Sequence, residues 1–360
     1  MTEPPPQSTA LPWPTYGAEN ARQRAVAAPG LRPPFRRLWT FHGHALLEFP
    51  PVVGYGSVFE EAFDGRLYSI DPANGRVRWS YSAHRCGWSS PAIADHLLFA
   101  TFIGNHECKA TLSGGELLAF SPQTGHIQWR RAIGPSESSP LVENGTVYVG
   151  DQNGYVSAFT AGTGHLRWRF DTGAPIKASV AFAYGRIYIG NYAGEMFALS
   201  ARRGRPLWRS AGHGNFYSTA AVNAGRVYVG SLDGRVYAFS ARSGDVRWSF
   251  GTGSYVYAAP AVWNGLVLVG SYDHDFYALE SGTGSLRWTF RSQAAISGAA
   301  SVVDGFVYFS SFDHRTYALA ATSGRLRAEW PDGEYSPTVA GNGRLYLVGL
   351  GRIYALSPRP

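Results

Sequence analysis

The chain has 360 residues, a formal net charge of +7 and 45% hydrophobic residues, with no apolar run of 18 or more, so no segment reads as a membrane-spanning helix. The surplus of positive charge comes largely from arginines set beside tryptophans (Arg78, Arg167, Arg247, Arg287, Arg327) rather than from one contiguous basic stripe, which argues against a nucleic-acid surface. The opening Met1-Thr2-Glu3-Pro4-Pro5-Pro6 has neither the basic nor the apolar region of a secretory signal.

Residues 1–34 match nothing further along and carry Pro4, Pro5, Pro6, Pro12 and Pro14, which predicts a loose arm along the surface, its first residues disordered. From Phe35 onward the chain is repetitive. Tryptophans stand at Trp39, Trp79, Trp129, Trp168, Trp208, Trp248 and Trp288, with intervals of 39 or 40 residues except for one of 50. Self-similarity at this period, with short strands between turns, is the signature of a β-propeller. The expected domains are therefore the arm, 1–34, and one eight-bladed propeller, 35–360.

The copies begin with GRLYSIDPANGRVRWSY at Gly65 and GELLAFSPQTGHIQWRR at Gly115 and continue through GYVSAFTAGTGHLRWRF at Gly154 to HDFYALESGTGSLRWTF at His274. Runs such as Val236-Tyr237-Ala238-Phe239 suit half-buried strands, and Thr-Gly or Ser-Gly pairs (Thr163-Gly164, Ser243-Gly244, Thr283-Gly284) supply the positive φ of a tight turn. With a second hairpin upstream, as at Glu143-Asn144-Gly145, each copy is a four-stranded meander, A to D from the axis outward. In the seventh copy Ala328 stands at the tryptophan position, and Trp330, two residues on, reads as a local shift on the same strand face. The last copy ends at Ser357 without a D strand. Phe35 to Phe41 resembles one and should complete that blade, closing the ring. Recurrence once per blade marks the tryptophans as packing residues that dock one blade on the next, not as ligand platforms.

In such a meander the D-to-A and B-to-C connections share one face, which here carries the longer, more variable segments. Candidate binding residues on it are Glu61, Trp88, Glu137, Asp151, Lys177, Asn191, Asn215, Tyr217, Tyr257, Glu334 and Tyr335, a polar and aromatic funnel mouth. Residues such as Asp64, Asn153, Asp233, Asp273 and Asp313 are better explained as shaping the B-to-C turns. The 50-residue interval holds an insertion around Gly104 to Gly114 that brings Cys108 to the same face as Cys86, the other cysteine. A disulfide between them, a zinc site with His84 and His106, and two free thiols all remain open, though His-x-Cys is not the usual zinc spacing. No Gly-x-Ser-x-Gly elbow exists, since Gly134-Pro135-Ser136-Glu137-Ser138 lacks the last glycine, and no catalytic nucleophile is nominated.

The recurring Ser-Ser-Pro, x-Val-Tyr-Val-Gly, Asp-Gly, x-Tyr-Ala-x, Thr-Gly and x-x-x-Trp resemble the repeats of pyrroloquinoline-quinone (PQQ)-type propellers from Phe35 to Ser357, and within that group the BamB-like family. Trp13-Pro14-Thr15-Tyr16-Gly17 with Asn20 and Arg22 also resembles the opening of quinoprotein dehydrogenases. The BamB resemblance implies a non-catalytic scaffold in the cell envelope, a monomer holding a protein segment or small ligand at the funnel. The dehydrogenases imply PQQ and calcium as the alternative, but their adjacent cysteine pair and their long insertions are absent here, and a sensor or carbohydrate-binding propeller is a further alternative.

Overall fold

The computed structural model describes residues 12–104, 113–335 and 338–359, all of it strand, turn and loop. Eight antiparallel four-stranded blades form the propeller. Blade 5 shows the unit: Ala221–Asn223 (A), Arg226–Gly230 (B), Arg235–Ser240 (C) and Val246–Gly251 (D) pair in that order. The core lies between blades rather than within them. Tyr228, Val236 and Trp248 of blade 5, for example, pack with Val262, Val267 and Leu279 of blade 6. Both faces of each sheet are covered, so the interiors of the B and C strands are buried on both faces and depart from simple alternation, with only strand ends reaching solvent.

Blade 8 is closed as expected. Its inner strands are Val339–Gly341, Arg344–Val348 and Arg352–Pro358, and Phe35–His42 supplies the outer one, in register from Phe35 opposite Pro358 to His42 opposite Arg352. This pairing covers a C strand that would otherwise be a bare edge.

The tryptophan ladder has one geometry. Each indole N–H donates to a carbonyl in the C-to-D turn of the following blade, at 2.7 Å from Trp129 to Ala161 and 3.1 Å from Trp288 to Ala321, with Trp39, Trp79, Trp168, Trp208 and Trp248 between these limits. Three residues beyond each acceptor is a glycine of positive φ lying against the ring. A Cβ on Gly204 would stand 2.4 Å from Trp168 Cε3.

Blade 7 departs from the expected local shift. Ala328 pairs with Ala318, the place that Trp288 takes opposite Ala278, whereas Trp330 pairs with Thr316, the place of Phe290, and meets Phe35 at 6.2 Å between centroids. The reason lies in the ring closure. An indole at residue 328 would dock on the C-to-D turn of blade 8, but that blade's C strand ends at Pro358 and its D strand begins at Phe35, so no such turn connects them.

The arm also differs from a loose surface segment. From Trp13 to Val26 it passes the inner strands of seven blades in succession, accepting N–H bonds from Val53, Ile93, Phe182, Val222, Val262 and Val302, while Asn20 Nδ2 donates to the Val142 carbonyl at 2.8 Å. Trp13, Arg22 and Arg24 are buried. Arg22 Nε donates to the Val180 carbonyl (2.9 Å), and the Arg24 guanidinium lies 4.6 Å above the Tyr16 ring. The arm thus caps the axis at the end of the inner strands where the A-to-B turns lie.

Candidate functional site

The funnel is built from one register position. Glu48, Trp88, Glu137, Lys177, Tyr217, Tyr257, Ser297 and Tyr335 each stand four residues before the inner strand of their blade. All but Trp88 line a single axial cavity of about 70 Å³, and Trp88 joins Glu48, Phe49, Glu137, Lys177 and Tyr217 around an adjoining recess. Because each D-to-A loop turns inward there, the eightfold repeat delivers seven side chains to one cavity and the eighth, Trp88, to the recess beside it.

Two residues further on lies a second ring, which stiffens the first. The N–H of Ser90 donates to Ser139 Oγ, that of Ser139 to Ser179 Oγ and that of Ser179 to Thr219 Oγ1, each at 2.9 Å. Ala259 and Ala299 occupy the corresponding places in blades 6 and 7, so this hydroxyl belt spans only half of the ring. Tyr16 of the arm reaches the same cavity.

The charged side of the funnel centres on Glu137, whose side chain is only 6% exposed. Lys177 Nζ stands 3.1 Å from its Oε1, Gln152 Nε2 donates to the same oxygen at 2.6 Å, and the Tyr217 hydroxyl donates to Oε2 at 3.3 Å. Lys177 also lies 5.5 Å from the Tyr192 ring and 5.8 Å from the Tyr217 ring. Burial, then the neighbouring Glu137 and Glu334, pushes the Glu48 carboxyl up to about 7. Burial and the carboxylates of Glu137 and Glu48 likewise hold the Tyr217 hydroxyl well above its ordinary range. The other side is aromatic: Tyr217, Tyr257 and Tyr272 follow one another at 5.0 and 4.8 Å between centroids, and Phe312 connects Tyr272 to Tyr335 at 5.7 and 5.5 Å.

Of the residues expected at the funnel, Trp88, Glu137, Lys177, Tyr217, Tyr257 and Tyr335 come together. Asp151 and Asn191 are instead buried and hold their turns. Asp151 Oδ1 accepts the N–H groups of Asn153 and Tyr155, and Asn191 Oδ1 accepts those of Ala193 and Glu195, so their side chains face the backbone rather than the cavity. Glu61 is 2% exposed and lies behind the lining, with Ser89 Oγ at 3.4 Å. Asn215 accepts the Leu232 N–H through its carbonyl, and Glu334 pairs with His314 Nδ1 at 3.1 Å. Cys86 is buried and disulfide-bonded. Cys108 and His106 lie outside the described residues, and His84 is exposed. Among the described residues no three His, Cys, Asp or Glu side chains are grouped to hold a metal.

Glu48, Phe49, Ser297 and Tyr16 were missed. Glu48 and Ser297 were available from register alone, since Glu48 precedes Val52 by the same four residues that separate Glu137 from Leu141. Tyr16 gave no signal, because the arm has no repeat partner.

A family described as outer membrane protein assembly factor BamB matches residues 36–154, 113–219 and 152–359, which together cover nearly the whole propeller. The chain belongs to the BamB family. Outer membrane protein assembly factor BamB of Bordetella pertussis is 29% identical over 112 residues, 31% of this chain and 28% of that relative. The crystal structure of BamB from Moraxella catarrhalis superimposes with a TM-score of 0.74 at 16% identity, covering 90% of this chain and 98% of that one. The same fold appears in quinohemoprotein alcohol dehydrogenase from Comamonas testosteroni, with a TM-score of 0.78 at 14% identity over 97% of this chain and 81% of that one. A europium-containing methanol dehydrogenase gives 0.79 at 12% identity over 96% and 98%. At such identities the likeness carries the fold alone.

The dehydrogenase resemblance implies a quinone with calcium. PQQ is a tricarboxylate, and here it would meet Glu48 and Glu137, with Lys177 already paired to Glu137. Carboxylates would suit a bridging calcium, but among the described residues no three His, Cys, Asp or Glu side chains are grouped to hold one, so the lining does not fit the quinone and its metal.

Proposed function

We propose that this BamB-family propeller is a non-catalytic binding scaffold of the cell envelope, a monomer that uses the funnel face to hold a protein segment. The observation that carries this reading is the ring four residues before the inner strands, where a rigid repeated frame presents eight largely different side chains, three of them tyrosines, around one cavity and its adjoining recess. A blind cavity whose carboxylate, lysine and tyrosine are already bonded to one another is suited to recognition and offers no activated nucleophile. The envelope location follows the name of the relatives, and the disulfide state of Cys86 agrees with an oxidising compartment.

Capture from the host tests the reading. The tagged chain, cross-linked in the envelope, should enrich components of outer-membrane protein assembly, and replacing Lys177 and Tyr217 together by alanine should reduce that enrichment by about tenfold, the loss of one interface hot spot. Equal enrichment with the double variant would move the binding surface elsewhere. A saturable absorbance change on titration with PQQ and calcium would overturn the non-catalytic assignment.

A further inference from the structure

Exposed arginines gather in one sector of the end opposite the funnel. The C-to-D turn of blade 4 carries Arg202, Arg203 and Arg205, whereas the corresponding turns of blades 2, 3 and 6 carry none and those of blades 1 and 7 one each, Arg76 and Arg325. Hydrogen bonds bring three further arginines to the same place. The Ala201 N–H donates to the Gly185 carbonyl and the Ala241 N–H to the Gly225 carbonyl, which sets each C-to-D turn, with Arg242 in the second, against its own A-to-B turn, where Arg186 and Arg226 follow. Arg186 Nη1 then reaches across to blade 5 and donates to the carbonyls of Ala241 and Arg242, at 2.9 and 2.7 Å. Tyr184 ties the two A-to-B turns by accepting the Gly225 N–H at 3.0 Å, and it is 61% exposed.

Among the described residues none of these six guanidinium groups pairs with a carboxylate. The acidic residues on this turn and its flanks are engaged elsewhere: Asp245 with Ser243 and Arg247, Glu143 with Asn20 and Asn144, and Glu280 with Arg287. Like charges held together on a rigid frame without countercharge create a local positive potential that an anionic partner relieves. The crevice between blades 4 and 5 is filled by the Trp208 indole, so the surface there is a set of projecting turns rather than a groove.

We propose that this sector docks on an anionic lipid surface, its arginines against headgroup phosphates and the Tyr184 ring at the interface. Projecting turns suit an extended charged plane, guanidinium groups match phosphate oxygens bidentately, and tyrosine favours the boundary between headgroups and acyl chains. The arm caps the same end of the axis, so a lipid surface there leaves the funnel open to the aqueous side. The proposal concerns a second surface and does not depend on what the funnel holds.

Cosedimentation of the full chain with vesicles tests it. Vesicles of phosphatidylcholine with about one-third phosphatidylglycerol should bind the chain at about 0.05 M salt and release it at about 0.3 M, and vesicles of phosphatidylcholine alone should not bind it. Each arginine near such a surface contributes about a fivefold factor, so replacing Arg202, Arg203 and Arg205 together by glutamine should weaken binding by about a hundredfold. Arg76, Arg130 and Arg327, all exposed and outside the patch, provide the control. Their triple glutamine variant loses the same charge and should stay within about threefold of the parent, since charges beyond a Debye length are screened. Equal losses in the two variants would reduce the effect to net charge and overturn the patch. Absence of binding to the anionic vesicles at low salt, or equal binding to neutral ones, would overturn the proposal as a whole. Polyglutamate held more tightly than the vesicles at equal charge concentration would replace the lipid by an acidic protein segment. Capture in the host by the funnel is read separately, with the Lys177 and Tyr217 variant.

Discussion

Two positions recur once in each blade, and the protein treats them in opposite ways. The outer one is tryptophan in seven blades, always with its N–H on a carbonyl of the following blade. The inner one, four residues before the first strand, is glutamate twice, tyrosine three times, and tryptophan, lysine and serine once each. Equivalent surroundings explain the uniformity of the first: every indole meets the same turn, so the same residue is the solution each time. At the axis seven of these side chains share one cavity and Trp88 lines the recess beside it, and copying one residue around that space would bring like charges together or overfill it. Repetition therefore marks what holds the ring, and variation marks what the ring holds.

Breaking the ladder should have the largest effect. Trp208→Ala removes a side chain only 9% exposed and its bond to Ala241, and should cost about 3–5 kcal/mol in denaturant unfolding. Tyr257→Ala, at the funnel position of blade 6, should stay within about 1 kcal/mol by the same measurement. Equal losses would erase the distinction between the two positions.

A smaller effect is expected from a carboxyl that belongs to neither set. Glu60 is fully buried, and among the described residues neither of its oxygens has a hydrogen-bond partner. Burial, then the adjacent Glu61, raises its pKa well above the ordinary carboxyl value. The folded state therefore keeps this proton at pH values where the unfolded state has lost it. Stability should fall as pH rises above about 4.5, the unfolded value, until the folded group also ionises. Thermal midpoints measured from pH 5 to pH 8 should decline less steeply for Glu60→Gln than for the parent. An unchanged slope would show that Glu60 is not the group responsible.

The smallest effect sharpens the comparison from the other side. Ala328→Trp restores the ladder residue in blade 7, yet blade 8 offers no C-to-D turn to receive it. Its unfolding free energy should gain nothing, staying within about 0.5 kcal/mol of the parent or below it. Stabilisation of 2 kcal/mol or more, on the order of a filled core site, would mean that docking does not need the turn.

Legibility followed the same division. Blade number, strand order and the closing role of Phe35 to Phe41 were all readable, since each rests on a pattern copied many times. Trp330 was misread because the rule it breaks concerns the receiving blade, not its own strand. At the funnel, Glu137, Lys177, Tyr217, Tyr257, Trp88 and Tyr335 were reached by assigning the D-to-A loops to one face, whereas Asp151 and Asn191 were included on polarity although their oxygens serve backbone N–H groups. Polarity alone does not distinguish a side chain facing a cavity from one facing its own turn.

The amino-acid sequence by itself determined the eight-bladed ring and its closure, because a 40-residue unit with alternating strands and glycine turns can bury its faces only against copies of itself. Tertiary structure alone decided that the arm caps the axis, that its Tyr16 reaches the funnel cavity, and that Arg22 and Arg24 end up buried. Those contacts join residues far apart in the chain, 236 positions for Arg24 and Pro260 and more for Arg24 and Val302. No local pattern encodes them, since they arise only when the closed ring brings eight loops and one unrepeated segment to a common axis.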